Sequence, residues 1–190
     1  MVVQPKKNEL TKLRICVNFR ELSKVTLIDP FPMPYTEEIL NEVAGHKFYS
    51  FTDGFSRYNQ VPIAKEDHKK TTFVCEFSSF AYKVIPFGLK NAPTVFLRIV
   101  VKTFQECIYK TMEIYFDDWT IYSMLKDQCK WLRLMLERCR QIQLSLNIKK
   151  CIFLTPTWIL LGHIVCKEGI KVDFEKINTM LDLKPPLNPK

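Results

Sequence analysis

Apolar residues recur along this chain in short runs whose spacing alternates between the strand period of two and the helix period of three to four. Leu13–Phe19 sets β-branched and aromatic residues between basic ones, which predicts a strand. The proline-rich run Thr26–Pro34 predicts an extended connector. Tyr35–Val43 has helical spacing, with Ile39, Leu40 and Val43 on one face and acids near its start. Phe48–Thr52 is short and apolar, a buried strand that runs into Asp53. Thr72–Phe77 and Ala81–Ile85 predict two further strands joined by a Ser-Ser turn. Pro93 opens a helix whose inner face carries Phe96, Ile99, Val100, Phe104, Cys107 and Ile108. A hairpin follows, Met112–Phe116 and Trp119–Tyr122 flanking Asp117-Asp118. Leu125–Ile142 predicts an amphipathic helix with Leu125, Cys129, Leu132, Leu136 and Cys139 inward. Strands near Cys151–Leu154 and Ile159–Val165 come next, then a short helix over Phe174–Leu183 that Pro185-Pro186 stops. This order fits an α+β domain, a split β-α-β, ferredoxin-like sheet with helices packed on one face. It allows Asp53 to meet Asp117 and Asp118.

Composition narrows the class. The 190 residues carry 47% hydrophobic residues, 14 of them Phe, enough for a sizeable core and too many for global disorder. The net charge of +8 suits a polyanionic partner, and Lys6, Lys7, Lys12, Arg14, Arg20 and Lys24 crowd the first thirty residues. A solvated basic face is the alternative. Seven cysteines without a Cys-x-x-Cys pair read as reduced core thiols, not as a zinc site or disulfide framework. The longest apolar stretch, Cys151–Cys166, is interrupted and falls short of the roughly 20 residues of a spanning helix, so membrane insertion is not expected.

Asp117 and Asp118 change the picture most. Two acids side by side at a strand-to-strand turn are costly to keep ionised together unless cations share them. With Asp53 they make an oxygen-rich set suited to a pair of Mg2+ ions, which can activate a hydroxyl and stabilise a phosphoryl leaving group. Taken alone, Asp-Asp at a hairpin is more simply a turn, because aspartate favours turns.

A series of motifs in order decides between these readings. They are Lys6-Lys7, Leu13-Arg14-Ile15-Cys16-Val17-Asn18-Phe19-Arg20, Phe48-Tyr49-Ser50-Phe51-Thr52-Asp53-Gly54-Phe55-Ser56, Tyr58-Asn59-Gln60 and Pro86-Phe87-Gly88-Leu89-Lys90-Asn91-Ala92-Pro93. Tyr115-Phe116-Asp117-Asp118, Leu146-Asn147 with Lys150-Cys151, and Leu161-Gly162-His163-Ile164-Val165 complete the series. Together they resemble the fingers and palm of the reverse transcriptase of a gypsy-class long-terminal-repeat retrotransposon, almost end to end. The resemblance implies partial fingers over residues 1–47, palm from 48 to 73, fingers and palm strands with a nucleotide-flanking loop over 74–92, palm over 93–167 and the start of a thumb over 168–190.

The same resemblance implies RNA-directed DNA synthesis by two-metal transfer of deoxynucleotides onto a primer 3′-hydroxyl, on an RNA or DNA template. Asp53, Asp117 and Asp118 match the catalytic metal ligands for two Mg2+ ions, with Mn2+ as the alternative ion. Lys7 and Arg14 match the triphosphate grip, as a lysine charge and an arginine fork suit phosphate. Tyr58 matches the residue that excludes a 2′-hydroxyl, Phe87 and Gly88 the loop beside the nucleotide, and Lys150 a general acid toward pyrophosphate. Leu161, Gly162 and His163 match a hairpin that cradles the primer end. Remaining thumb, connection, RNase H, protease and integrase are expected outside this chain, and the implied location is cytoplasmic, in a virus-like particle.

Four positions depart from the pattern. Arg57 stands where the family has a small residue against the nucleotide; a clash with the triphosphate is expected, with an added phosphate contact as the alternative. Asn18 replaces Asp, Ser23 replaces Asn, and Leu97 replaces a glutamine expected to face the template. Two rivals therefore stand beside the polymerase reading: a non-catalytic remnant that binds nucleic acid, and a scaffold that binds neither metal nor nucleic acid.

Overall fold

The computed structural model describes residues 2–6 and 9–183, with side chains from residue 17 onward. Strands β1 (Val2–Lys6) and β2 (Glu9–Cys16) form an antiparallel pair, so the first strand begins earlier than the alternation suggests and ends before Phe19. Helix α1 (Arg20–Val25) buries no side chain, and the expected extended connector leads to α2 (Thr36–Val43). That connector is tied to the start of a later helix: Asn91 accepts from the Asp29 N–H at 3.2 Å and donates to the Leu27 carbonyl at 2.8 Å.

Strand β3 (Phe48–Asp53) is the centre of a four-stranded antiparallel sheet. The pair β4 (Phe73–Val74) and β5 (Ser79–Phe80) is shorter than the two predicted strands. Its apolar neighbours are drawn elsewhere: Ile85 donates to the Val61 carbonyl and Ile63 to the Lys83 carbonyl, so the second run pairs with Val61–Ile63 instead. Helix α3 (Ala92–Phe104) carries Pro93 in its first turn, where no N–H is needed. Strands β6 (Met112–Tyr115) and β7 (Asp118–Ser123) make the predicted hairpin, and α4 (Leu125–Gln141) follows. Then come β8 (Ile152–Thr155), β9 (Thr157–Leu160), β10 (His163–Cys166), β11 (Gly169–Val172) and α5 (Phe174–Leu181). The run Ile159–Val165 is not one strand. Leu161 and Gly162 both take positive φ, 49° and 79°, and form the two-residue turn between β9 and β10.

The sheet order is β6-β7-β3-β8, and alternation sorts its side chains into two cores. Met112, Ile114, Trp119 and Ile121 face α3 and α4, where the Trp119 ring lies 5.6 Å from that of Phe104. Tyr49, Phe51 and Tyr122 face the other way, against Ile39, Leu40 and Val43 of α2 and against Leu160 and Val165 of the β9–β10 hairpin. Leu97 is buried in the first core at 1% exposure, so it faces neither solvent nor a template. Cys107, Cys139 and Cys166 are buried thiols, and burial pushes Cys139 up to about 12; Cys129 is exposed, against expectation. No helix among the described residues is long and apolar enough to cross a membrane.

Helix α4 keeps Leu132 and Cys139 of the predicted stripe against the core but not its other members. Leu125 and Leu136 are exposed, whereas Gln128, Met135 and Cys139 are buried. The polar Gln128 is taken inside because the sheet offers it partners. Its amide donates to Ser50 Oγ at 3.1 Å and to the Ile121 carbonyl at 3.0 Å, and it accepts from Ser123 Oγ at 2.7 Å. Gln128→Ala is expected to lower the stability by about 2 kcal/mol, as it removes three hydrogen bonds that tie the helix to two strands. The urea midpoint measures this.

On the other face Glu113 is 3% exposed, accepting from the Tyr109 N–H at 3.1 Å and the Tyr122 hydroxyl at 3.3 Å. Burial raises its carboxyl above the usual range, and the two hydrogen bonds only partly oppose this. A raised acid favours the fold at low pH and loses that contribution as pH rises through its folded value. Glu113→Gln keeps the acceptor oxygen, so it is expected to be more stable than the native chain at neutral pH. The gain should vanish below about pH 4, which melting across a pH series reads.

Candidate active site

Strand register brings the acids together. β3 and β7 run antiparallel with Phe48 opposite Ser123, which sets Asp53 opposite Asp118 at the far end. Asp117 lies in the two-residue loop between β6 and β7, where Tyr115 pairs with Asp118. Each acid offers a carboxylate oxygen, and these atoms all lie within 4.8 Å of one another. The loop is strained: Phe116 has φ 54°, a conformation that costs an L residue about 1–2 kcal/mol. Trp119 Nε1–H donates to the Phe116 carbonyl at 3.1 Å and holds the turn from beneath.

The three carboxyl groups differ in surroundings. Asp53 is buried; its Oδ2 takes an ion pair from Lys150 Nζ at 2.9 Å, and its Oδ1 is buried without a hydrogen-bond partner among the described residues. Arg57 pairs with Asp117 and places Nε 3.9 Å from Asp53 Oδ1. Burial raises the Asp117 carboxyl, and the Asp53 charge adds to the rise while the Arg57 guanidinium opposes it. Asp118, the most open of the three, is also raised, by desolvation and then by the neighbouring Asp117 and Asp53 charges. Three oxygen donors with a vacant buried lone pair fit a hard divalent cation well.

The site is closed from behind by a segment far along the chain. Asn147 N–H donates to the Asp53 carbonyl at 2.8 Å, and Phe55 N–H donates to the Ser145 carbonyl at 2.9 Å. Gln60 clasps the same segment, accepting from Ser145 N–H at 2.6 Å and donating to its carbonyl at 3.1 Å. The motifs Tyr58-Asn59-Gln60 and Leu146-Asn147 therefore belong together in space, a link the sequence order does not suggest. Lys150 reaches Asp53 through this same segment.

Other expected residues lie nearby or apart. The Tyr58 ring meets Phe87 edge-on at 5.3 Å and Phe96 at 5.9 Å, and burial raises its hydroxyl. Gly88 has φ 98°, which favours glycine, and sits beside the Phe19 ring. Leu161, Gly162 and His163 form the β9–β10 turn and the start of β10, and no described contact joins them to the carboxylates. His163 Nδ1 lies 3.3 Å from the Leu161 carbonyl, while Lys176 Nζ donates to the Gly162 carbonyl at 3.3 Å. Lys7 lies outside the described residues, and Arg14 is described only by its backbone place in β2, opposite Gln4. Among the departures, Asn18 accepts from the Arg20 N–H at 3.1 Å and from Arg20 Nε at 3.0 Å.

The fold is shared with a solved foamy viral protease-reverse transcriptase in complex with RNA/DNA hybrid. The TM-score is 0.84 at 19% identity, over 97% of this chain and 24% of that one. An α+β polymerase palm is thus the class of structure present. A family model described as reverse transcriptase (RNA-dependent DNA polymerase) matches residues 4–165, and the chain belongs to that family. It is 32% identical over 188 residues to the retrovirus-related Pol polyprotein from transposon opus of Drosophila melanogaster, covering 98% of this chain and 19% of that polyprotein. Against the Pol polyprotein from transposon gypsy of the same species it is 30% identical over 174 residues, covering 91% and 17%. The chain therefore spans less than a fifth of the length of these relatives.

Because Asp118 is raised by its surroundings, its ionised form burdens the fold. Its contribution is favourable at low pH and is lost as pH rises through the raised value. Asp118→Asn is expected to melt at a higher temperature than the native chain at neutral pH in chelator-treated buffer, and at the same temperature in acid. Calorimetric scans at both pH values check this.

Proposed function

We propose that this chain is the nucleotidyl-transfer core of an RNA-directed DNA polymerase, with Asp53, Asp117 and Asp118 as ligands for two Mg2+ ions. The observation that carries this reading is the convergence of three carboxylates, each with an oxygen within 4.8 Å of the others, on a buried Asp53 whose Oδ1 accepts no hydrogen bond among the described residues. Such a set is costly unless a cation completes it. Divalent ions bound there supply positive charge that lowers the pKa of a primer 3′-hydroxyl and offsets the charge of departing pyrophosphate.

The chain's own residues do the rest. Asp53 and Asp117 are the direct ligands in this proposal, and Asp118 supports them from the β7 side. Lys150, held at Asp53, stands ready to give a proton to the leaving pyrophosphate. Tyr58, wedged between Phe87 and Phe96, is rigid enough for its ring to reject a 2′-hydroxyl by contact. Gly88 admits the nucleotide close to the backbone, and Lys7 and Arg14 bind the triphosphate. Leu161, Gly162 and His163 cradle the primer end. A template–primer partner is supported by the hybrid bound to the foamy viral neighbour and by the net charge of +8.

A second reading is favoured by one observation, the pairing of Arg57 with Asp117. Under it the chain is a remnant that binds nucleic acid in a salt-sensitive way without incorporating nucleotides. Primer extension on an RNA template, with deoxynucleotides and Mg2+ at low salt, separates the two. Template-directed incorporation is expected from Arg57→Gly, falling at least hundredfold when Asp117→Asn is added. No incorporation above the enzyme-free control in any variant, with hybrid binding intact, would establish the remnant instead.

A further inference from the structure

Arg57 does more at this site than crowd it. Ser56 and Arg57 both have positive φ, 52° and 40°, at the entry to the short 3-10 turn Arg57–Gln60. Two successive strained residues persist only where surrounding contacts over-determine them. Here the contact is electrostatic: the guanidinium pairs with Asp117 and sits 3.9 Å from Asp53 Oδ1, the very oxygen that has no hydrogen bond. Lys150 occupies the other oxygen of Asp53. The three acids thus face two basic groups supplied by the chain itself. The Arg57 side chain is 35% exposed, so it has an open path to solvent.

We propose that Arg57 is a built-in cation that occupies the space between Asp53 and Asp117, so that a divalent metal binds only by displacing it. This rests on the reading of those aspartates as metal ligands. The guanidinium lies on Asp117 and beside Asp53 Oδ1, the oxygens that a divalent ion would also claim, so the two compete for the same lone pairs. Metal affinity is then set by the difference between two states, Arg57 seated and Arg57 swung out. Arg57 tunes metal occupancy of the palm and with it the threshold ion concentration at which the site can work. The expected clash with a triphosphate is replaced by competition with the ions.

The test is a Mn2+ titration of the whole chain, followed by the electron paramagnetic resonance signal of free Mn2+ and repeated with Mg2+ as competitor. Arg57→Met keeps the Cβ and the strained backbone but removes the charge; Arg57→Gly removes both and relaxes the turn. Each is expected to bind Mn2+ at least tenfold more tightly than the native chain, and Asp117→Asn to abolish the gain. Melting gives an independent readout. Without metal, Arg57→Met should melt below the native chain because the carboxylates lose their counter-ion, and Mn2+ should raise its melting temperature by more than it raises the native one. Equal affinities in native, Arg57→Met and Arg57→Gly would overturn the competition while leaving the metal site in place. Absence of Asp117-dependent Mn2+ binding in all three would overturn the metal site and the competition with it. Should Arg57→Met not fold, Arg57→Gly carries the same comparison.

Discussion

Everything at the functional end of this molecule follows from the antiparallel register of β3 and β7. Pairing Phe48 with Ser123 at one end compels Asp53 and Asp118 to be neighbours at the other, and the tight loop adds Asp117. A slip of one residue would turn the whole of β3 over and exchange its two faces. Register is secured from both sides of the sheet. Trp119 and Ile121 are fixed among α3 and α4, Tyr49, Phe51 and Tyr122 against α2, and Gln128 bridges the strands by hydrogen bonds. The hydrophobic core thus acts as a jig that forces like charges together.

That crowding has to be compensated, and the chain does so unequally. Asp53, the most enclosed acid, receives Lys150 on one oxygen and only the more distant Arg57 charge, with no hydrogen bond among the described residues, on the other. Asp117 receives Arg57, and Asp118 keeps only the relief of partial exposure and a raised pKa. Compensation that is incomplete in this way leaves a residual attraction for cations. The position of Arg57 draws on this imbalance.

Much of the frame is legible in the residues. The alternation of Phe48–Asp53, the Asp-Asp hairpin and Pro93 at a helix start each report local physics, and each element stands where its pattern places it. The failures have a common cause. Gln128 is polar yet buried, because its value lies in partners on strands that sequence spacing does not reveal, and the stripe of α4 is misread around it. Leu161-Gly162 breaks a run that looks continuous, since a left-handed turn needs two residues and leaves the apolar pattern intact. Ala81–Ile85 pairs with Val61–Ile63 over a distance no local signal encodes. At the site, the aspartates and Lys150 are identifiable as residue types in recognisable motifs. The Arg57 ion pairs are not, because they depend on backbone strain at Ser56 and Arg57 that shows only in three dimensions.

The clasp formed by Gln60, Ser145 and Asn147 fixes an order of events in the birth of the molecule. Strand β3 leaves the ribosome before residues 147–150, so its carbonyl at Asp53 waits for Asn147 and its carboxylate for Lys150. Until that segment has been synthesised, the acidic cluster has neither its backing nor its lysine. A polypeptide that stopped after the Asp117-Asp118 hairpin would hold all three acids but lack the hydrogen bond behind Asp53 and the lysine that pairs with it. The stretch of chain needed to complete the site therefore runs well past the last aspartate, to Lys150.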